Sequence, residues 1–139
     1  MASIFTRIIA GELPADFVWK DETCVAFLSN RPLRPGHTLV VPRLEIDHWI
    51  DLEPELLSHL ANTSKTIGRA QMAAFEPARI GLVVAGLEVP HVHFHVIPIR
   101  EARDLDFENQ DPNPDAAMMA EAGVALRREL QKLGAATGV

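Results

Sequence analysis

His91-Val92-His93-Phe94-His95-Val96-Ile97-Pro98 is the stretch on which the reading of this chain turns. Three histidines alternate with Val92, Phe94 and Val96, and a strand sends successive side chains to opposite faces. A strand over residues 91–99 is therefore predicted, with the three imidazoles on one face and the apolar trio on the other. Neighbouring imidazoles on such a face start roughly 6.5–7 Å apart. Half of the six histidines in the chain then share one face of one strand. Each buried imidazole needs a polar partner, because an unpaired buried polar group costs free energy. Packing alone is a poor reason to keep three of them in register. Two chemistries suit the pattern. HxH on a strand presents ligands to zinc or iron. Alternatively, one histidine attacks a phosphoryl group while the others act as acid, base and charge stabilisers. Imidazole suits the second task because its pKa of about 6.5 leaves much of it neutral and nucleophilic near pH 7.

The rest of the fold is read outward from there. A five-residue connection, 86–90, leads back to a continuous apolar run at 80–85, which has the length of a strand. Residues 37–42 (HTLVVP) are β-branched-rich and stop at Pro42. Residues 16–20 and 23–28 pair as a hairpin about Asp21-Glu22. Pro32, Pro35 and Gly36 make 29–36 a loop. The longest helix is expected at 54–75, where Leu56, Leu60, Thr63, Ile67, Ala70 and Ala74 form one stripe. A C-terminal helix over 116–133 carries Met118, Ala122, Leu126, Leu130 and Leu133, with Gly134 as its stop. Residues 4–9 read as one or two helical turns, and 100–114 as polar and irregular. Five short strands without strict βαβ alternation predict an α+β fold: a five-stranded antiparallel sheet, one long central helix and a C-terminal helix.

Length and composition bound the function. The 139 residues suit one domain spanning 1–139, with a core at about 3–104 and a C-terminal helical extension at about 105–139. Thirteen basic against nineteen acidic residues give a net charge of −6, which disfavours a nucleic-acid backbone as partner but not a small anionic substrate. No apolar run approaches the roughly twenty residues of a membrane span. Arg7 and Glu12 interrupt any run resembling a signal peptide. The lone Cys24 excludes an internal disulfide and a multi-cysteine zinc site. A soluble, cytoplasmic protein is the expectation.

HVHFHVIP resembles the signature of the histidine triad (HIT) family, and the resemblance extends beyond it. Ile4-Phe5-Thr6-Arg7-Ile8-Ile9-Ala10-Gly11-Glu12-Leu13-Pro14 is similar to the family's opening segment. Val25-Ala26-Phe27-Leu28, then Pro35-Gly36-His37-Thr38-Leu39-Val40-Val41-Pro42, is similar to its second block. The family consists of nucleotide-binding hydrolases and transferases, usually homodimers built on antiparallel sheets. The resemblance implies that His93 attacks the α-phosphorus of a nucleotide phosphoramidate or dinucleotide polyphosphate, giving a nucleotidyl-histidine that water then releases. His95 would help the leaving group depart, His91 would orient His93, and His37 would be a fourth histidine brought in by the neighbouring strand. Backbone N–H groups of Leu87, Glu88 and Val89 would face the phosphate. Ile4, Phe5, Ile8, Leu13 and Phe27 would line the base pocket, with Ser29 near the ribose. A purine nucleotide or nucleotide conjugate is the implied substrate and a homodimer the implied assembly, with no cofactor. His48 and His59 match nothing catalytic and are assigned to surface or helix-flank positions.

Departures from the family pattern are equally specific. Ser29 stands where many relatives carry a ribose-binding aspartate, and a neutral hydroxyl makes the weaker hydrogen bond. Val84-Ala85-Gly86-Leu87-Glu88-Val89-Pro90 lacks the amide and hydroxyl side chains common before the triad, and Glu88 sets a carboxylate where a phosphate-binding hydroxyl is expected. Arg31, Arg34, Arg43 and Arg100 are its possible partners. Some relatives hold a structural zinc with an N-terminal cysteine pair and later histidines. This chain has neither cysteine, and Glu45 stands near one expected histidine, so no metal is predicted. Two other readings stay open: a nucleotide-binding protein with little turnover that acts through a partner, and a histidine-ligated metal protein.

Overall fold

The computed structural model describes residues 1–139. Five strands, β1 (Phe17–Lys20), β2 (Cys24–Leu28), β3 (Thr38–Pro42), β4 (Arg79–Val83) and β5 (Phe94–Ile99), form one antiparallel sheet in the order β1-β2-β3-β5-β4. Three α-helices accompany it: α1 (Ile4–Ile9), α2 (Pro54–Phe75) and α3 (Ala116–Lys132). The fold is α+β, as the strand pattern predicts.

Alternation along the strands divides the core in two. Cys24, Ala26, Leu28, Val40, Phe94 and Val96 face α2 and α3, which add Leu60, Ile67, Ala70, Ala122, Leu126 and Leu130. Val25, Phe27, Leu39 and Val41 face the other way and meet Phe5 and Ile8 of α1. Both faces of β2 and β3 are thus covered, and every residue of those strands is buried. Fully burying a leucine or isoleucine contributes about 1.5–3 kcal/mol, so Leu60 and Ile67 anchor α2. The α2 stripe packs as its periodicity predicts. In α3 the stripe stops at Leu130, and Leu133 stays exposed beside the left-handed Gly134.

Two boundaries differ from the sequence reading. Strand β4 runs over Arg79–Val83, shifted toward its N-terminus from 80–85. Strand β5 begins at Phe94, so His91 and His93 precede it. Pro90 has no amide to give, His91 N–H donates back to Val89 O at 2.8 Å, and Val92 N–H donates to Ile46 O instead of to a neighbouring strand. Residues 100–114 are also less irregular than expected, holding two 3-10 turns, Ala102–Leu105 and Phe107–Asn109.

The loop entering β3 is fixed from behind. Gly36 has φ +88°, and a Cβ there would collide with the Phe75 ring of α2. Its carbonyl accepts from Thr38 Oγ1 and Gln71 Nε2, which sets the direction in which the chain delivers His37.

Candidate active site

A cavity of about 380 Å³ opens on the α1 side of the sheet. His93 and His95 line one wall, and Ile4, Phe5, Ile8 and Phe27 line another. Ser29, Arg31, Glu88 and Val89 come from two loops, and Gln110 and Met119 reach in from the C-terminal part. Leu39 stands opposite His95 in the β3–β5 register, which places His37, two residues earlier, on the same face and diagonal to His95.

Main-chain groups, and for His95 the His37 ring, dictate which nitrogen of each imidazole carries hydrogen. Leu33 N–H donates to His37 Nδ1 at 3.0 Å, so a neutral His37 bears its proton on Nε2. That Nε2 lies 2.9 Å from His95 Nδ1 and donates to it, which leaves the His95 proton on Nε2. His93 Nδ1 lies 2.8 Å from the His91 carbonyl and must donate to it, which leaves His93 Nε2 with a bare lone pair. His91 donates from Nε2 to Pro42 O at 2.8 Å and accepts from Ser3 Oγ at 2.7 Å. The His93 and His95 rings meet edge-on with centroids 4.8 Å apart. One nucleophilic nitrogen and one N–H donor thus stand side by side.

The electrostatics keep these rings neutral. Burial lowers the pKa of His95 to about 3, with His37 and His93 adding to the effect. Burial, and then His93, lowers His37 to about 4. Burial also holds His91 and His93 below the ordinary value. A neutral His93 is the form with a lone pair to give.

Of the expected site residues, His93, His95, Ile4, Phe5, Ile8, Phe27, Ser29, Glu88 and Val89 line the cavity. His37 and His91 are fully buried behind it. His91 and His93 both precede β5, and the Phe5 ring meets each of them edge-on; the His91 backbone carbonyl accepts the His93 Nδ1–H. Leu13 packs beside Phe5 and Ile8 without lining the cavity. The Leu87 side chain is 94% exposed and points away from any packing. The amides of Leu87, Glu88 and Val89 nonetheless donate to no group within the chain. Of Glu88's four candidate cations, Arg31 alone shares the cavity; Arg43 donates to Asp21 O and Arg100 to Glu76 O.

Sequence reasoning missed Phe107, Gln110 and Met119. The Phe107 ring meets His95 edge to face at 4.8 Å. An aromatic alone in a polar stretch was the available signal.

Two other polar clusters bear on metal binding. At the N-terminus, Ser3 N–H and Thr6 Oγ1 both donate to Glu45 Oε1, at 2.7 and 2.6 Å, beside the Ser3–His91 hydrogen bond. The hydrogen bonds from Thr6 and Ser3 lower the Glu45 pKa to about 2. Hydroxyls, one carboxylate and one imidazole that satisfy each other are not the thiolate set a structural zinc prefers. Elsewhere, Asp21, Cys24 and His59 bring three potential ligand atoms within 4.8 Å of one another. His59 is therefore not a plain helix-flank residue: it meets Asp21 Oδ2 at 2.8 Å and ties α2 to the β1–β2 turn. Burial raises the Cys24 thiol to about 12. Burial pushes the Asp21 carboxyl upward, but hydrogen bonds from Trp19, Cys24, His59 and Thr23 outweigh it and hold the group well below its ordinary range.

A sheet that delivers a bare imidazole nitrogen and an imidazole N–H to one cavity defines a protein organised around a histidine cluster. The comparisons with known proteins make the class specific. The chain belongs to the HIT domain family, whose pattern matches residues 10–102. It is 40% identical over 99 residues to an uncharacterised HIT-like protein of Methanocaldococcus jannaschii, covering 68% of this chain and 77% of that one. A zinc-bound histidine triad family protein from Mycobacterium smegmatis superposes with a TM-score of 0.83 at 29% identity, covering 96% of both chains. A hypothetical histidine triad nucleotide-binding protein from Sulfolobus tokodaii superposes with a TM-score of 0.82 at 26% identity, over 93% of this chain and 92% of that one.

Proposed function

We propose that this protein is a nucleotide-binding hydrolase or transferase that cleaves at the α-phosphate of a nucleotide phosphoramidate or dinucleotide polyphosphate. The observation that carries the reading is the bare His93 Nε2 beside the His95 Nε2–H in one cavity. Likeness to a protein described as a hypothetical histidine triad nucleotide-binding protein supports the ligand class.

In the proposed reaction the His93 Nε2 lone pair attacks the α-phosphorus and the bond to the leaving group breaks. The electron pair departs with the leaving group, and the His95 N–H meets the charge that develops there. His93 keeps its Nδ1–H on the His91 carbonyl, which offsets the positive charge the ring acquires. Water then attacks the nucleotidyl-histidine, frees the mononucleotide and restores the Nε2 lone pair. The two protons of that water end on the mononucleotide and the released leaving group. Amides of Leu87, Glu88 and Val89 bind the phosphate oxygens. Ile4, Phe5, Ile8 and Phe27 take the base, a purine in this reading, and Ser29 takes the ribose. No cofactor enters any step.

Glu88 favours a second reading. The residue lines the cavity and makes no ion pair, which weakens phosphate binding and suits a nucleotide-binding protein with little turnover that acts through a partner. A homodimer belongs to the same proposal. Strand β4 is a sheet edge with Leu82 exposed, and an antiparallel edge pairs with its own copy about a two-fold axis. No helix is long and apolar enough to cross a membrane, and cytoplasmic residence is proposed on the single buried free thiol of Cys24.

Acid-quenched mass spectrometry with a panel of nucleotide phosphoramidates and dinucleotide polyphosphates tests the reaction. One nucleoside monophosphate adduct, lost in His93→Ala, is expected, with mononucleotide assayed in the same samples. Neither adduct nor product, despite nucleotide binding, selects the second reading.

A further inference from the structure

We propose that Phe107 is a positioning residue of this site, holding the His37–His95 pair in a water-excluded arrangement from the C-terminal side of the cavity. The inference deepens the proposed function and rests on it only for its kinetic consequence. The Phe107 ring stands edge to face against His95, centroids 4.8 Å apart and planes at 74°, and 6.5 Å from His37. It is the one side chain outside the histidine cluster that makes an aromatic contact with both rings.

The segment carrying this ring is fastened at both ends. Ahead of it, Glu101 and Asp104 form a reciprocal capping box, and Asp104 Oδ2 also accepts from Arg100 N–H at 2.8 Å. Leu105 leans on Gly81 of β4, where a Cβ would stand only 2.8 Å from a Leu105 methyl. The Asp106 carboxylate accepts from Glu108 N–H and caps the turn that holds Phe107. Behind it, Gln110 Nε2 donates to Arg31 O and Asp111 N–H donates to Pro32 O, each at 3.1 Å. Those carbonyls belong to the loop whose Leu33 N–H fixes the His37 tautomer. Strap, loop and imidazole pair therefore form one connected unit.

The physical role follows from what the ring displaces. An apolar ring against His95 takes the place of water that would solvate an imidazolium or compete with His37 for His95 Nδ1. Without the ring, His95 gains hydration and is released from the single tautomer that presents Nε2–H to the cavity. The charged groups around the pair are common to all variants of Phe107: His37 and His93 in contact, Glu88, Arg31 and Asp16 on the cavity walls, and Asp106 and Glu108 flanking the ring. Val83 and Leu39, opposite His95 on β4 and β3, carry no charge. A difference between variants therefore reports the ring alone.

The test reads His95 directly, by two-bond nitrogen–proton correlation spectra of the imidazoles across pH, in the unmodified protein and in Phe107→Ala, Phe107→Leu and Phe107→Tyr. The His95 titration is expected to rise by about one pH unit or more in Phe107→Ala, with loss of the pure Nε2–H pattern. Phe107→Tyr should stay within about 0.3 unit of the parent and Phe107→Leu should fall between. In turnover, Phe107→Ala should lose about tenfold in kcat with KM within about twofold, its acid limb shifted upward, and Phe107→Tyr should restore both. Unchanged His95 titration and tautomer in Phe107→Ala, or no gradation through leucine, overturns the inference. Absence of both nucleotidyl adduct and released mononucleotide in the unmodified protein overturns the reaction instead, and the spectra decide the role of Phe107 either way.

Discussion

On the side of the sheet that α2 and α3 cover, fifteen buried residues form one continuous core; on the α1 side the corresponding cluster has six. The same strands supply both. Along β5 and its approach, Val92, Phe94 and Val96 enter the larger core, while His93 and His95 turn to the smaller one. A six-residue helix is too short to cover its side of the sheet, and the uncovered part is the cavity. Stability is concentrated on one side and chemistry on the other, so neighbouring residues in the sequence should fail in opposite ways when changed.

His93→Ala is the sharpest break in that comparison. Turnover should fall by about 10³-fold or more while the thermal midpoint moves little, measured by product release and calorimetry on one preparation. Its neighbour should do the reverse: Phe94→Ala should cost about 3–5 kcal/mol of unfolding free energy in denaturant titrations, with activity retained below its lowered midpoint.

The pH dependence of stability belongs to the histidine side. Burial places the folded-state values of His37 at about 4 and His95 at about 3, below the unfolded value near 6.5. The unfolded chain therefore takes up protons first as pH falls. Stability is full above about pH 6.5 and declines from there toward pH 4 and below. Thermal midpoints across this window should fall steadily, and His95→Phe should flatten the decline; a parent profile level from pH 7 to 4.5 would show the rings are not held neutral. The smallest effect is expected at Glu88, whose side chain is exposed. Glu88→Gln should tighten binding of a nucleoside monophosphate about two- to fivefold at low salt, and less at high salt, by calorimetric titration.

The antiparallel sheet, the two long helices and the buried stripe of α2 were legible in the sequence because periodicity reports burial directly. The α2 limits, 54–75, are those its stripe suggests, with Pro54 in the first turn. The start of β5 was not legible, because alternation through His91 looks like strand whether or not its amides find a neighbouring strand. At the site, His93 and His95 were readable from spacing. The histidine tautomers were not, since they are set by the Leu33 amide and the His91 carbonyl, and main-chain groups carry no residue signature. Phe107 and Met119 were hidden for another reason: they come from beyond residue 104, Phe107 against the His95 ring and Met119 into the cavity, across a sequence separation that no local pattern spans. Leu13 shows the converse, an apolar residue near the right motif that packs beside Phe5 and Ile8 without lining the cavity.

The carbonyl of His91 carries a consequence for sequence change over time. Because a peptide oxygen holds His93 Nδ1, no replacement of the residue 91 side chain deletes that acceptor. The Leu33 amide gives His37 the same independence from the side chain at 33, proline excepted. Random substitution can therefore wander through these two positions while the reactive nitrogens keep their proton pattern. A selection experiment that saturates positions 33 and 91 should accept a wide alphabet at 33. At 91 its tolerance should follow the fit against Ser3 and Pro42, not the chemistry at His93.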